Sequence, residues 1–330
     1  MKKSIYIFSS GEMHRKQNTL YFEGEKGRKY IPVENTAELF IFGEVSINKK
    51  LLEFLCQAEI MLHFFNHHGY YVGTFYPREH YNSGHMILKQ AEYYLDNEKR
   101  LDIAKRLTQG AVSNIKKVLN YYINREVSLS DILNHIETLE TSLNEQSSND
   151  QLMAIEGNIR EQYYKAFDLI LASPDFAFEG RTRQPPRNRL NALISFGNSL
   201  LYVAVLREIY KTHLDPRIGF LHTTNFRRFS LNLDVAEVFK PIIIDRIIFS
   251  LLNKEMIKSN QFEEEAGGIF LKENGRRIFV EEFDSRLNTT INQPELKRNV
   301  SYQSLIRLEL YKIEKHLLGE KPYEPFVSRW

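Results

Sequence analysis

The sequence predicts an α+β protein: an N-terminal β-rich, sandwich-like domain over residues 1–82, then a larger all-α domain over 83–330 that carries the candidate functional residues. Three observations predict it. Up to about residue 82, short apolar runs alternate with turn signals. From residue 85 onward, apolar positions recur with the 3.6-residue period of helices. Between the two patterns lies Tyr76-Pro-Arg-Glu-His-Tyr-Asn-Ser-Gly84, a polar, proline-containing segment suited to a linker. A chain of 330 residues is long enough for two domains with a real core.

In the first part, strands are expected over Ile5–Phe8, Thr19–Phe22, Glu38–Phe42, Met61–Phe65 and Tyr70–Phe75. Ser9-Ser10-Gly11, Gly24 to Gly27 and His67-His68-Gly69 supply the turns. One helix, about Asn48 to Gln57, interrupts them, with Leu51, Leu52 and Leu55 at helical spacing. In the second part, helices are expected over 85–108, 110–125, 129–145, 150–172, 188–213 and 230–253. Ser147-Ser148-Asn149-Asp150 is a strong start for the fourth. The stretch Ala192 to Leu206 is apolar, yet it contains Ser195, Gly197, Asn198 and Ser199. It is too short and too polar to span a bilayer and reads as a core helix. Asn274-Gly275 predicts a hairpin over 268–280. The last helix puts Ile306, Leu310, Ile313 and Leu317 on one side and stops at Gly319.

Composition narrows the function classes. At 42% hydrophobic and 26% charged, the chain reads as an ordinary globular protein. A net charge of +2 means that any nucleic-acid surface must come from local clustering. The single cysteine, Cys56, excludes an internal disulfide framework and a cysteine-rich zinc site, and fits a reducing cytoplasm. The start, Met1-Lys-Lys-Ser-Ile-Tyr-Ile-Phe8, has too short an apolar run for a signal peptide. No P-loop, dinucleotide fingerprint or nucleophile elbow is present.

Glu156, His222, Asp234 and Glu237 stand out because each ionisable group interrupts apolar sequence. Glu156 falls on the stripe Leu152, Met153, Ile159, Tyr163, Phe167 and Ile170, where a carboxylate needs a partner or a cation. On spacing alone it either pairs with an arginine of a neighbouring helix or binds a metal. His222 closes Arg217-Ile-Gly-Phe-Leu-His222, and Asp234 and Glu237, three apart, project from one helix face. They read either as a core histidine and first-turn acids or, together, as ligands. One imidazole with carboxylates suits Mg²⁺ or Mn²⁺ better than zinc. Two basic segments flank this set: Arg181-Thr-Arg183-Gln-Pro-Pro-Arg187-Asn-Arg189 and Asn225-Phe-Arg227-Arg228. Arginine forks match phosphate oxygens, although a solvated loop paired with acids is an equal reading. Histidines 63, 67, 68, 80 and 85 lack matched carboxylates in the sequence, and His67 and His68, at a hairpin tip, read as surface groups.

Seven stretches in order carry a resemblance over nearly the whole chain: Pro32-Val-Glu-Asn, Tyr71-Val-Gly-Thr-Phe-Tyr-Pro-Arg78, Ile155-Glu-Gly-Asn-Ile-Arg160, Arg181-Thr-Arg-Gln-Pro-Pro186, Leu193-Ile-Ser-Phe-Gly-Asn-Ser-Leu-Leu201, Asp215-Pro-Arg-Ile-Gly-Phe-Leu-His222 and Ser230-Leu-Asn-Leu-Asp-Val-Ala-Glu-Val-Phe-Lys-Pro241. They resemble the CRISPR-associated endonuclease family that acts as the integrase of spacer acquisition. The resemblance implies Glu156, His222 and Glu237 as catalytic metal ligands, Asp234 as a supporting acid, and Mg²⁺ or Mn²⁺ as cofactor. It implies a cytoplasmic homodimer formed through the N-terminal domain, DNA partners (a short fragment and the CRISPR repeat), and a small ferredoxin-like companion protein, with no membrane. Two departures are visible. The last ligand is Glu here and Asp in some relatives, and Asn198 stands where many have tyrosine.

The expected reaction is a transesterification in which a fragment's 3′-hydroxyl attacks a repeat phosphodiester, with Arg181, Arg183, Arg187, Arg227 and Arg228 as candidate phosphate contacts. Two alternatives stay open: a free-standing nuclease acting on branched DNA, and a non-catalytic DNA-binding scaffold.

Overall fold

The computed structural model describes residues 2–25, 27–77, 81, 83–223 and 229–329. The chain divides into two compact units, Met1–His80 and Tyr81–Trp330. It is strand-rich first and helical afterwards.

The first unit holds β1 (Lys3–Ile7), β2 (Gly11–Lys16), β3 (Thr19–Gly24), β4 (Gly27–Ile31), β5 (Thr36–Ile41), β6 (Val45–Ser46), α1 (Lys49–Ala58), β7 (Met61–Phe65) and β8 (Tyr71–Phe75). They form two four-stranded sheets, ordered β1-β5-β7-β8 and β4-β3-β2-β6. β2 and β4 are polar strands that apolar patterning does not reveal; their pairing with β3 defines them. β5 and β7 are parallel, so the chain must cross over between them, and α1 is that crossover. Asn48 caps α1 by accepting from Leu51 N. Both sheets and α1 share one core of Ile7, Met13, Leu20, Ile31, Leu39, Ile41, Leu51, Leu55 and Leu62. Alternate residues turn to the opposite face of the first sheet, where Tyr6 stacks on Phe40 and Phe8 on Phe42, each at 4.7 Å. On that face His63 is fully buried, with Nε2 3.2 Å from Glu38 Oε2. The expectation that His63 lacks a matched carboxylate is thereby corrected: Glu38 lies 25 residues away, and only strand pairing brings it alongside. His67 and His85 are exposed, and His80 falls outside the described residues.

The second unit comprises α2 (Gly84–Leu95), α3 (Asn97–Ile123), α4 (Ser130–Thr141), α5 (Asn149–Leu171), α6 (Arg189–Ile209), α7 (Leu231–Phe239), α8 (Arg246–Asn253), β9 (Phe262–Glu265), β10 (Gly268–Leu271), α9 (Glu273–Asn288), β11 (Thr290–Gln293), β12 (Arg298–Ser301) and α10 (Tyr302–Leu317). Three boundaries differ from the sequence expectation, each for a physical reason. The first break falls at Asp96, whose side chain caps α3 by accepting from Glu98 N and Lys99 N, and α3 then runs through Gly110. The expected single helix over 230–253 is interrupted by a π-turn at Pro241–Asp245. Pro241 has no N–H to donate, and both Ile244 N and Asp245 N bond to the Lys240 carbonyl. The hairpin turns at Ala266-Gly267, both at positive φ (48° and 74°), and Asn274-Gly275 instead opens α9. A Cβ on Gly275 would come within 2.6 Å of Leu271 Cδ1, so that glycine serves close packing of α9 on β10.

α6 is buried along nearly its whole length and is the core helix of this unit. α7 packs against α3, α6 and α10 and is also buried on every side. The tail after Gly319 returns along α3. Asn114 of α3 donates to both the Val238 and Phe326 carbonyls at 2.9 Å, tying the end of α7 to the tail. A Cβ on Gly110 would meet Pro325 Cβ at 2.4 Å. Gly110→Ala gains up to about 1 kcal/mol of helix propensity, but overpacking costs about 1–3 kcal/mol. The expected outcome is a fall of a few degrees in the thermal midpoint, recovered in part in the double variant with Pro325→Gly, which removes the clashing Cβ.

Candidate active site

The candidate residues are placed by α5, by α7 and by the segment between α6 and α7. α5 starts at the Ser148 cap, which accepts from Gln151 N, and presents Glu156 and, one turn on, Arg160. α7 presents Asp234 and Glu237, and Lys240 follows at its end.

Segment 215–222 is held almost entirely by hydrogen bonds to its backbone. Gln90 accepts from Asp215 N and donates to the Asp215 and Ile218 carbonyls. Arg100 Nε and Asn149 Nδ2 donate to the Phe220 carbonyl. Ser230 Oγ accepts from Gly219 N and donates to the Arg217 carbonyl. Asp234, fully buried, completes the clamp. Its Oδ2 accepts from Phe220 N (2.5 Å) and Leu221 N (3.0 Å), and its Oδ1 from His222 N (2.9 Å) and lies 2.8 Å from His222 Nδ1. An ionised Asp234 requires the proton on Nδ1, which leaves the Nε2 lone pair of neutral His222 available. Only glycine fits at 219, because a Cβ there would stand 2.6 Å from Asp234 Oδ2. The His222 pKa is raised: burial lowers it, but the hydrogen bond and charge of Asp234 outweigh that.

Glu237, 6% exposed, is neutralised by two cations. Its Oε2 accepts from Arg160 Nη2 at 2.5 Å, and its Oε1 accepts from Lys240 Nζ. The same Arg160 Nη2 lies 3.4 Å from Glu156 Oε1, so one guanidinium joins both carboxylates. The arginine that Glu156 meets is thus on its own helix. Burial raises the Glu237 carboxyl, yet Lys240 and Arg160 hold it down at about 2. Nearby, burial pushes the Asp245 carboxyl up to about 7 against the pull of Arg160. Tyr202, one turn after Asn198 on α6, lies with its ring centroid 5.0 Å from Lys240 Nζ.

The structure therefore brings Glu156 and Glu237 to one cation, and places His222 within electrostatic reach of Glu237. Asp234 faces the backbone and ring of His222. Arg160, Lys240 and Asp245 were not singled out from sequence, although Arg160 at i+4 from Glu156 and Lys240 at i+3 from Glu237 are visible spacings. Among the basic candidates, Arg181 turns inward to Asn191 Oδ1 (2.9 Å), Ser195 Oγ (3.0 Å) and the Thr182 carbonyl. Arg183 and Arg187 are exposed, and Arg189 bonds Asp175. Arg227 and Arg228 lie outside the described residues.

A model of the CRISPR-associated protein Cas1 family matches residues 5–285. The chain belongs to the Cas1 family. This agrees with the motif resemblance and places the chain among CRISPR-associated nucleases. It is 61% identical to a CRISPR-associated endonuclease Cas1 of Thermodesulfovibrio yellowstonii over 100% of both chains. A solved Cas1 structure from Thermotoga maritima superposes with a TM-score of 0.88 at 49% identity, covering 97% of this chain and 98% of that one. A casposase bound to its integration product shares the fold, with a TM-score of 0.87 at 21% identity over 99% of this chain and 96% of that one.

The depressed Glu237 gives the site an acid signature. In the fold, Glu237 holds its proton only below pH of about 2, whereas in the unfolded chain it protonates near the usual carboxylate value of 4.5. Its ion pairs therefore stabilise fully above that value, and the stabilisation is lost as pH falls through the window. In EDTA, the thermal midpoint of Glu237→Gln should fall less steeply than wild type on acidification from about pH 6 to about pH 3. Equal slopes would mean that the ion pairs contribute nothing.

Proposed function

We propose that this Cas1 chain is a metal-dependent DNA endonuclease and integrase that inserts short DNA fragments into a CRISPR array. The observation that carries the reading is the guanidinium of Arg160 between Glu156 and Glu237: a cation already sits where two carboxylates converge, and His222, whose charge acts on Glu237, has Nδ1 engaged by Asp234 and so Nε2 left to ligate. Carboxylates with one imidazole suit Mg²⁺ or Mn²⁺, so the donor set fits a hard divalent ion. Glu156, His222 and Glu237 would hold it. Bound there, the ion supplies Lewis-acid polarisation of a phosphoryl oxygen and offsets charge developing in the transition state.

The chain's own residues do the rest. Asp234 fixes the tautomer and orientation of His222 through its hydrogen bond to Nδ1. Lys240 stays charged beside Glu237, because that carboxylate raises its pKa against the effect of burial. Exposed Arg183 and Arg187 offer forks to phosphate, positioning DNA without reading sequence. In the joining step the fragment's 3′-hydroxyl oxygen bonds to a repeat phosphorus and loses its proton. The displaced repeat oxygen leaves as a new 3′-hydroxyl. Water as nucleophile in the same site gives hydrolysis. The sharing of this fold with a Cas6-RT-Cas1–Cas2 complex is consistent with a companion protein, and the reading extends to a cytoplasmic homodimer acting with it.

A strand-transfer assay tests the proposal. Purified protein is incubated with Mn²⁺, a labelled short duplex and a supercoiled plasmid carrying a repeat. Wild type should join label to plasmid, and Glu156→Ala should abolish joining while keeping DNA binding. Full joining by Glu156→Ala would remove Glu156 from the site. Cleavage without joining would favour a branched-DNA nuclease, and no product under any metal a scaffold. Replacing both Arg183 and Arg187 by Ala should lessen the slope of log binding constant against log salt by about 0.9 for each phosphate no longer neutralised. An unchanged slope would take both arginines out of the DNA interface.

A further inference from the structure

Two polar atoms next to the carboxylate pair are buried and make no hydrogen bond among the described residues: Arg160 Nη1 and Asp245 Oδ2. They are electrostatic neighbours. Arg160 and Tyr163 are three apart on α5, and the π-turn brings Asp245 near enough to act on both. Asp245 is 2% exposed, and a buried carboxylate oxygen left without a donor is among the costlier groups a core can hold. Donor capacity on Arg160 and acceptor capacity on Asp245 are thus both unused, within electrostatic reach of each other. At the same time the other terminal nitrogen of Arg160 spans Glu156 and Glu237. The packing provides two carboxylate positions for one guanidinium.

We propose that Arg160 is an exchangeable internal cation, which neutralises Glu156 and Glu237 when no divalent ion is bound and moves onto Asp245, beside Tyr163, when one is. The inference rests on the reading of Glu156, His222 and Glu237 as a divalent-metal site. A guanidinium and a divalent ion repel each other when they share carboxylate oxygens, and a displaced buried cation needs a new partner. Asp245 supplies that partner without the side chain leaving the interior. Asp245 is a positioning residue that acts through Arg160, and it sets how tightly the centre holds its ion. Because the ion is exchanged for a cation already present, the pocket keeps its carboxylates compensated in both states.

The test is Mn²⁺ titration calorimetry on the full chain, comparing wild type, Asp245→Asn, Arg160→Gln and the double variant, with thermal midpoints taken in EDTA. Asp245→Asn is expected to weaken Mn²⁺ binding about tenfold, ~1.4 kcal/mol, without lowering the midpoint. In the Arg160→Gln background the same change should leave affinity unaltered, since the two residues act as a unit. An unchanged affinity in Asp245→Asn overturns the proposal, as does a loss that persists without Arg160. A second readout needs no variant: in a crystal structure of the Mn²⁺-loaded wild type, Arg160 should bond Asp245. Arg160 still bonded to Glu156 and Glu237 beside the ion would overturn the proposal. Wild type that binds no Mn²⁺ would overturn the metal reading, and this proposal with it.

Discussion

Glu237 carries a full negative charge on a helix buried on every side, and much of the site is arranged around compensating it. A lone carboxylate in such a place is far too costly to stay ionised. Arg160 reaches it from α5, and Lys240 from the end of its own helix. That requirement ties α5 to α7 at the height of Glu156, so the second carboxylate arrives as a consequence of neutralising the first. A surface ion pair would contribute little to stability. Here, removing either cation leaves an uncompensated buried charge, and such a loss is strongly destabilising.

Asp234 is compensated by a different kind of donor. It is more deeply buried than Glu237 and faces three backbone N–H groups and one imidazole. A carboxylate satisfied by backbone dipoles fixes geometry, because its donors cannot move without moving the chain. This is why a loop with no regular structure can hold His222 in one orientation, and why glycine is needed at 219, where the chain passes closest to that carboxylate. Two acids three residues apart on one helix thus do different work, one setting charge and the other setting shape.

The π-turn at Pro241–Asp245 links the two ends of the site. A continuous α-helix through this point would need an N–H that proline lacks. The wider turn that results sets where Asp245 meets α5. Asn114 spends one side-chain amide on the Val238 carbonyl and on the returning tail, so residues near 326 help hold the helix that carries Glu237.

The amino-acid sequence by itself determined the two-part α+β order, most of the helices, the chemistry of the donor set and the family. Apolar period, caps such as Ser148 and Asn48, and spaced motifs are local properties of the chain. It did not determine β2 and β4, whose polar faces become strands only through pairing with β3. Nor did it reveal the burial of His63 beside Glu38, or the turn at Ala266-Gly267. Within the site, Glu156, His222, Asp234 and Glu237 were legible because each interrupts an apolar stretch. Their partners were decided only by the tertiary structure. Spacing states which side chains share a face of one helix. The state of a buried charge depends on which donors other elements bring to it, and here Arg160, Asp245 and the backbone of residues 220–222 meet α7 only once the helices pack.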